Sequence, residues 1–348
     1  MNNTQRRRRI AATVAAAALA VGLAGCAGGG GGQPAADKEL LIVGIPKTLD
    51  NPAFAVAKIG AEERAKELGN IKLEWVAPAG ADPAKQVQLI ESYVQRGADG
   101  IFVSALGPSV CNAIDEAVAA GVAVTTFDSD CPDSGRSSYV GSDNYQGGVE
   151  AGKLYAEAVA GKGPQRIAIL TGVIGAINLE ERDRGFKDGL DEAGVDYEIV
   201  TTVPGNDDLT KSVEAVESTL RGDPTINGFY FDGPWPLLVE KTNLPLMIER
   251  VNSGQLTVVS FDTLQAQLPW VTEGLVYGLV GQKYFGWGYQ SVQALNGIIR
   301  NGDEFGDFAD TGVDVVTKDG GEGRYSVEEM DAFWESGVFV EEPIQPKG

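Results

Sequence analysis

From residue 39 onward the chain alternates short apolar runs with amphipathic stretches, and that rhythm leaves few folds open. ELLIVGI (39–45) reads as a buried strand, and PAFAVAKIGAEERAKELG (52–69) as a helix ending at a glycine. IKLEWVA (71–77), GIFVSAL (100–106) and VAVTTFD (122–128) continue as strands. PAKQVQLIESYVQRG (83–97) and VCNAIDEAVAAG (110–121) are the helices between them. The alternation runs on through RIAILTG, YEIVTTV, GFYFDG, TVVSFDT and VYGLVGQ. Strands separated by helices predict parallel sheets with right-handed crossovers. About ten such units overfill one open sheet, so the expected fold is α/β, with two doubly wound parallel-sheet lobes.

In such sheets ligands bind outside the carboxyl ends of the strands. That rule selects Lys47, Ser104, Asp128, Asp232, Asp262 and Gln282. Any one of them is as well explained as a helix cap or turn residue. Together they weigh toward a cleft. Asp128 and Asp130 stand two apart, a spacing that on a strand also suits a pair of catalytic carboxylates. The chain has no histidine, which removes Ser-His-Asp and Cys-His catalysis and every His-containing zinc site. Its net charge of −21 argues against a nucleic-acid partner. No cofactor and no metal are expected.

The N-terminus carries a basic run, Arg6–Arg9, then an apolar stretch over 10–23 that is short for a membrane span. It ends in Leu23-Ala24-Gly25-Cys26, which resembles a bacterial lipobox. The resemblance implies a signal peptide over 1–25, acylation of Cys26, and a Gly-rich tether over 26–38. The chain is then expected to be exported and lipid-anchored at the outer face of the cytoplasmic membrane. Cys111 and Cys131 form an even pair in an exported chain, which reads as a candidate disulfide, with two buried thiols as the alternative.

Several segments, in order, carry a family likeness: IPKTLDNPAF, VSALGPS, TFDSDCPDSGR, YVGSDNYQGGVEAG, NLEERDRGF, VVSFDT and GQKYFGWG. From about residue 40 to 348 the chain resembles the sugar-binding proteins of ABC importers, of the periplasmic-binding type I fold. DSDCPDSGR, VGSDNYQGG, FDGPW and DTGVDVVT are most similar to glucose- and xylose-type receptors. IPK, QVQLIES and VSALGPSVC are also similar to rhamnose and furanosyl-autoinducer receptors.

The resemblance implies ligand contacts at Lys47, Asn51, Phe54 and Ser104, with Ala53 replacing an aromatic of the ribose type. It implies a carboxylate acceptor at Asp128, followed by Ser129 where ribose receptors carry arginine, and a lesser contact at Asp130. Arg182 and Asn178, four residues apart on one helix face, would donate to ring and hydroxyl oxygens. Asp232, Gly233, Trp235, Asp262 and Gln282 complete the set, while the wall near Asn206 and Asp207, often aromatic in the family, is left open.

The implied lobes are 39–142 with 282–310, and 143–281 with 311–348. The chain would cross between them near Ser142–Asp143, Gly281–Gln282 and Asp310–Thr311. The implied function is capture of a monosaccharide by a monomer that closes on its hinge and delivers the sugar to a membrane permease. A receptor for a polyol, a deoxysugar or a furanosyl autoinducer is the alternative, with an envelope glycosidase well behind.

Overall fold

The computed structural model describes residues 38–347. The leader, Cys26 and the tether as far as residue 37 lie outside the described residues. The first half-chain runs β1 (Leu40–Ile45), α1 (Pro52–Leu68), β2 (Ile71–Trp75), α2 (Pro83–Gln95), β3 (Gly100–Val103), α3 (Pro108–Ala119), β4 (Ala123–Phe127) and β5 (Tyr139–Gly141). Next come α4 (Asn144–Ala158), β6 (Gln165–Thr171), α5 (Ile177–Glu192), β7 (Tyr197–Pro204), α6 (Leu209–Gly222) and β8 (Gly228–Phe231). Then follow α7 (Pro245–Asn252), β9 (Thr257–Phe261), α8 (Leu268–Thr272) and β10 (Gly278–Gln282). The chain ends with α9 (Tyr284–Asn301), β11 (Phe308–Asp310), β12 (Val313–Thr317), β13 (Asp319–Gly321), β14 (Arg324–Ser326) and α10 (Val327–Ser336).

Two α/β lobes result. Lobe one has a six-stranded parallel sheet in the order β2-β1-β3-β4-β5-β11. Lobe two has eight strands, with β7-β6-β8-β9-β10 parallel, β12 antiparallel beside β10, and β14 and β13 at the edge. The central strands are buried on both faces and read as continuous apolar runs because helices cover each side. Between the two sheets the chain passes at residues 142–143, after Gln282, and at 311–312. At these crossings Ser142 Oγ donates to Gly312 O (2.7 Å) and the Thr311 amide to Gly141 O (2.8 Å).

The expected lobe boundaries need two corrections. Gln282 is the last residue of β10 and so belongs to the sheet of lobe two. The chain end, expected wholly in lobe two, leaves it after α10, and residues 341–347 lie along α9 and its following loop in lobe one. The buried amide of Gln290 on α9 explains this, since it pairs with the backbone of that segment.

Cys111 and Cys131 are joined by a disulfide, with Cα atoms 5.4 Å apart. It closes a loop of 20 residues from α3 to the turn after β4, which in the chain-entropy model stabilises by roughly 3 kcal/mol.

Helices α4 and α5 approach so closely that side chains are excluded between them. A Cβ on Gly148 would lie 2.3 Å from the backbone oxygen of Arg182. Gly148→Ala is therefore expected to force α5 outward and cost about 2 kcal/mol, measured as a lower urea midpoint with an unchanged slope.

Candidate functional site

Each sheet ends in a carboxylate at the same place. Asp128 follows β4 and Asp262 follows β9, and both have left-handed backbone, φ +59° and +69°. Aspartate tolerates this region better than most residues, though the conformation still costs free energy. A ladder-like bond holds each one: the Asp128 amide donates to Val140 O (3.2 Å) and the Asp262 amide to Val280 O (2.7 Å). The two aspartates line one cavity between the lobes together with Lys47, Asn51, Phe54, Asn178, Arg182, Trp235 and Gln282.

Around Asp128, Ser104 Oγ donates to Oδ2 at 2.5 Å, and Lys47 Nζ lies 3.6 Å from the same oxygen. Lys47 Nζ also donates to Asn178 Oδ1 (2.9 Å), so a lobe-one side chain is bound to lobe two across the cleft. Around Asp262, Oδ1 accepts from Gln282 Nε2 (3.2 Å) and from the Tyr284 hydroxyl (2.9 Å). Burial pushes the Asp262 carboxyl above its ordinary value, against the pull of Arg182 and these two donors.

Arg182 is fixed on three sides. Its Nε donates to Asn144 Oδ1 (2.9 Å), its Nη1 to Asp232 O (2.9 Å), and its guanidinium carbon sits 3.9 Å from the centre of the Phe261 ring. The remaining nitrogen, Nη2, is 3.9 Å from Asp128 Oδ1 and is buried without a hydrogen-bond partner among the described residues. Asn144 in turn donates to the Tyr139 hydroxyl (3.1 Å), so the first residue of α4 ties Arg182 to lobe one.

Five predicted contacts lie off the cavity wall. Asp130 is occupied elsewhere, accepting from Arg136 Nε (2.7 Å) and Nη2 (2.6 Å) and from Thr126. Arg136 continues to Asp307, so this ion pair fastens the turn after β4 to the segment before β11. Ser104 stands behind Asp128 and orients it. Ser129 is wholly buried beside its strand. Asp232 is wholly buried and offers Arg182 its backbone oxygen, and burial, then the charge of Asp183, pushes its carboxyl well above the usual range. Gly233 leaves room for the ring of Trp235, which a Cβ there would meet at 2.4 Å. Asn51 does line the cavity, but its Oδ1 caps α1 by accepting from the Ala53 amide (3.0 Å).

The sequence reading missed Thr48, Leu179, Asp207 and Trp287, which also line the cavity, as does Ala53. Asp207 supplies the wall that was left open. Its backbone is also left-handed (φ +53°), and its Oδ1 is buried and unpartnered among the described residues. Gly172 makes room for it, since a Cβ there would lie 2.0 Å from that oxygen. Strand-end position was the available signal, one turn beyond β7. Trp287, on the first turn of α9, reads from sequence as core.

Two α/β lobes with a polar cavity at their strand ends define a hinged binding protein by class. The periplasmic binding protein domain family matches residues 42–304, and the chain belongs to that family. The ribose import binding protein of Bacillus subtilis is 31% identical over 198 residues, which is 56% of this chain and 63% of that protein. The chain spans about three fifths of the length of the first curated relatives it matches. Among solved structures, an ABC transporter solute binding protein from Burkholderia graminis, in complex with D-arabinose, is 34% identical with a TM-score of 0.72. The match covers 83% of this chain and 98% of that one. A glucose-galactose binding protein from Geobacillus stearothermophilus is 26% identical with a TM-score of 0.73, covering 81% and 98%.

Burial pushes the Asp207 carboxyl up to about 6, with Lys47 opposing and Asp128 adding to the rise. The folded state thus favours the protonated acid, and folding loses stability as pH rises from about 4 through 6. A shift of this size corresponds to about 3 kcal/mol, and the residue's partial exposure reduces it to about 1–2 kcal/mol. Asp207→Asn is expected to raise the melting temperature at pH 7.5 and to raise it much less at pH 4.5, as read by scanning calorimetry.

Proposed function

We propose that this chain is the solute-binding component of an ABC importer and captures a neutral monosaccharide, with a glucose- or xylose-type aldose favoured. One observation carries the reading. Five buried polar atoms on the wall of one inter-lobe cavity have no partner among the described residues. Arg182 Nη2, Trp235 Nε1 and Trp287 Nε1 are donors, while Asp207 Oδ1 and Gln282 Oε1 are acceptors. Buried polar groups are almost always paired, so such a set asks for a guest able to both donate and accept. Sugar hydroxyls do both, and the rings of Trp235, Trp287 and Phe54 suit the apolar face of a sugar.

The enclosed space is about 20 Å³, enough for about one water but not for a sugar. The guest therefore enters as the lobes part and Lys47 releases Asn178, and its contacts to both lobes favour reclosure. The closed form is what a membrane permease would read. No bond in the sugar need change, and the acid pair that a glycosidase needs is missing at Asp128 and Asp130, because Arg136 holds Asp130 in a two-pronged ion pair. Acylation at Cys26 would hold this monomer at the outer face of the cytoplasmic membrane. The names of the relatives, import binding proteins for ribose and D-apiose, support the substrate class.

A thermal-shift screen against pentoses, hexoses, polyols and a furanosyl autoinducer tests the proposal. An aldose at a hundred times its dissociation constant should stabilise by about 2.7 kcal/mol. If no sugar or polyol raises the melting temperature, the reading fails. With the responding sugar, Asp128→Asn and Arg182→Ala are each expected to weaken binding about 10- to 100-fold by calorimetric titration. Full affinity in both variants would overturn the site assignment alone.

A further inference from the structure

The chain end makes a connection between the lobes that the three crossings do not. Helix α10 belongs to lobe two: Met330 sits in that lobe's core, and Gln265 Nε2 donates to Asp331 Oδ1 (3.0 Å). Gly337, in left-handed backbone (φ +58°), ends the helix and turns the chain away. From there the segment lies along α9, which packs in the core of lobe one through Trp287, Val292 and Leu295.

Phe339 stacks on Phe285 with ring centres 5.3 Å apart. Gln290 Nε2 donates to Glu341 Oε1 (2.6 Å) and Glu342 O (2.7 Å), and its Oε1 accepts from the Ile344 amide (2.8 Å). The Lys347 amide then donates to Glu304 O (2.7 Å), beyond the end of α9. The segment starts beside the crossings, where a Cβ on Gly286 would meet both Thr311 Cγ2 (3.1 Å) and Glu341 Oε2 (3.2 Å), and runs from there along α9 to the loop beyond it. The root of the segment also reaches the site. Trp334 Nε1 donates to Thr263 O (2.8 Å), and its ring stacks on Tyr284, whose hydroxyl holds Asp262. A cavity of about 200 Å³ remains beneath, between the segment and the hinge. The segment itself lies on the surface, with Val338 61% and Val340 82% exposed, so its release need not disturb either core.

We propose that residues 337–347 are a strap that fastens lobe two to lobe one and shifts the open–closed balance toward the closed form. Only residues 337–340 separate α10 in lobe two from the contacts of Gln290 on α9 in lobe one, so parting of the lobes strains or breaks contacts at one end of this link, which is the differential interaction a population shift requires. The strap stands independently of what the cleft binds, so a failed sugar screen leaves it intact.

Hydrogen–deuterium exchange of the full chain, read by mass spectrometry without added ligand, tests it. Two variants release the strap: Gln290→Glu, which sets a second carboxylate against Glu341 at nearly unchanged volume, and deletion of 338–347. Cleft segments 47–54 and 176–182 are expected to exchange at least roughly threefold faster in both, with the core strands β3 and β8 unchanged. Parental exchange of the cleft segments in Gln290→Glu would overturn the proposal. So would acceleration of β3 and β8 in step with the cleft, since that reports loosening of the fold and not of the hinge.

Discussion

The site depends on two aspartates that leave their strands in the left-handed backbone region. Asp128 and Asp262 each follow a phenylalanine at the end of a buried strand, and each gives its amide to the neighbouring strand. The strain is about 1 kcal/mol or more per residue and persists because the parallel ladder on both sides fixes the backbone. In return each lobe presents a carboxylate to the cleft with supporting donors: Ser104 and Lys47 of its own lobe for Asp128, and Gln282 of its own lobe with Tyr284 at the start of α9 in lobe one for Asp262. A carboxylate whose donors all lie on its own lobe, as those of Asp128 do, keeps its geometry when the lobes separate. What changes on opening is what stands opposite it.

Arg182 is the counterweight to these negative charges, and its placement follows from helix packing. The α4–α5 contact leaves no room for a Cβ at Gly148, so the backbone of Arg182 is seated directly against α4. That closeness lets Asn144 on α4 reach Nε while Asp232 O takes Nη1. A guanidinium held at two nitrogens and one face has little rotamer freedom left to lose on binding, so its free Nη2 is a preorganised donor.

Most of this was legible in the sequence, for reasons that also mark where legibility ended. Buried parallel strands must be apolar throughout, so the lobes showed in the periodicity, and the strand-end rule found Lys47, Asp128, Asp262 and Gln282. The same rule gave equal weight to Ser104 and Asp232, which end equivalent strands but face their neighbours. Strand position says where a side chain begins, not whether another stands in front of it. Asp130 failed for a related reason, because its partner Arg136 lies six residues on across an irregular turn. Asp207 was missed because a turn separates it from β7, and Trp287 because an aromatic on a buried helix reads as core. The return of the chain end to lobe one rests on one glutamine in a long helix, a side-chain pairing that leaves no periodic trace.

Closure of the two lobes carries a cost that the cavity makes visible. Five polar atoms are buried there without a partner among the described residues, and each such group costs about 1–3 kcal/mol relative to its hydrated state. The bond from Lys47 to Asn178 offsets only part of this, since a net hydrogen bond contributes about 1 kcal/mol. Contacts far from the cleft must supply the rest if the closed form is to be well populated, and the stacking of Phe339 and the pairing of Gln290 lie where they can. A guest whose hydroxyls satisfy the five atoms removes the cost at its source. The closed form is then favoured by the strap in general and by the right guest in particular, and only the second contribution discriminates between solutes.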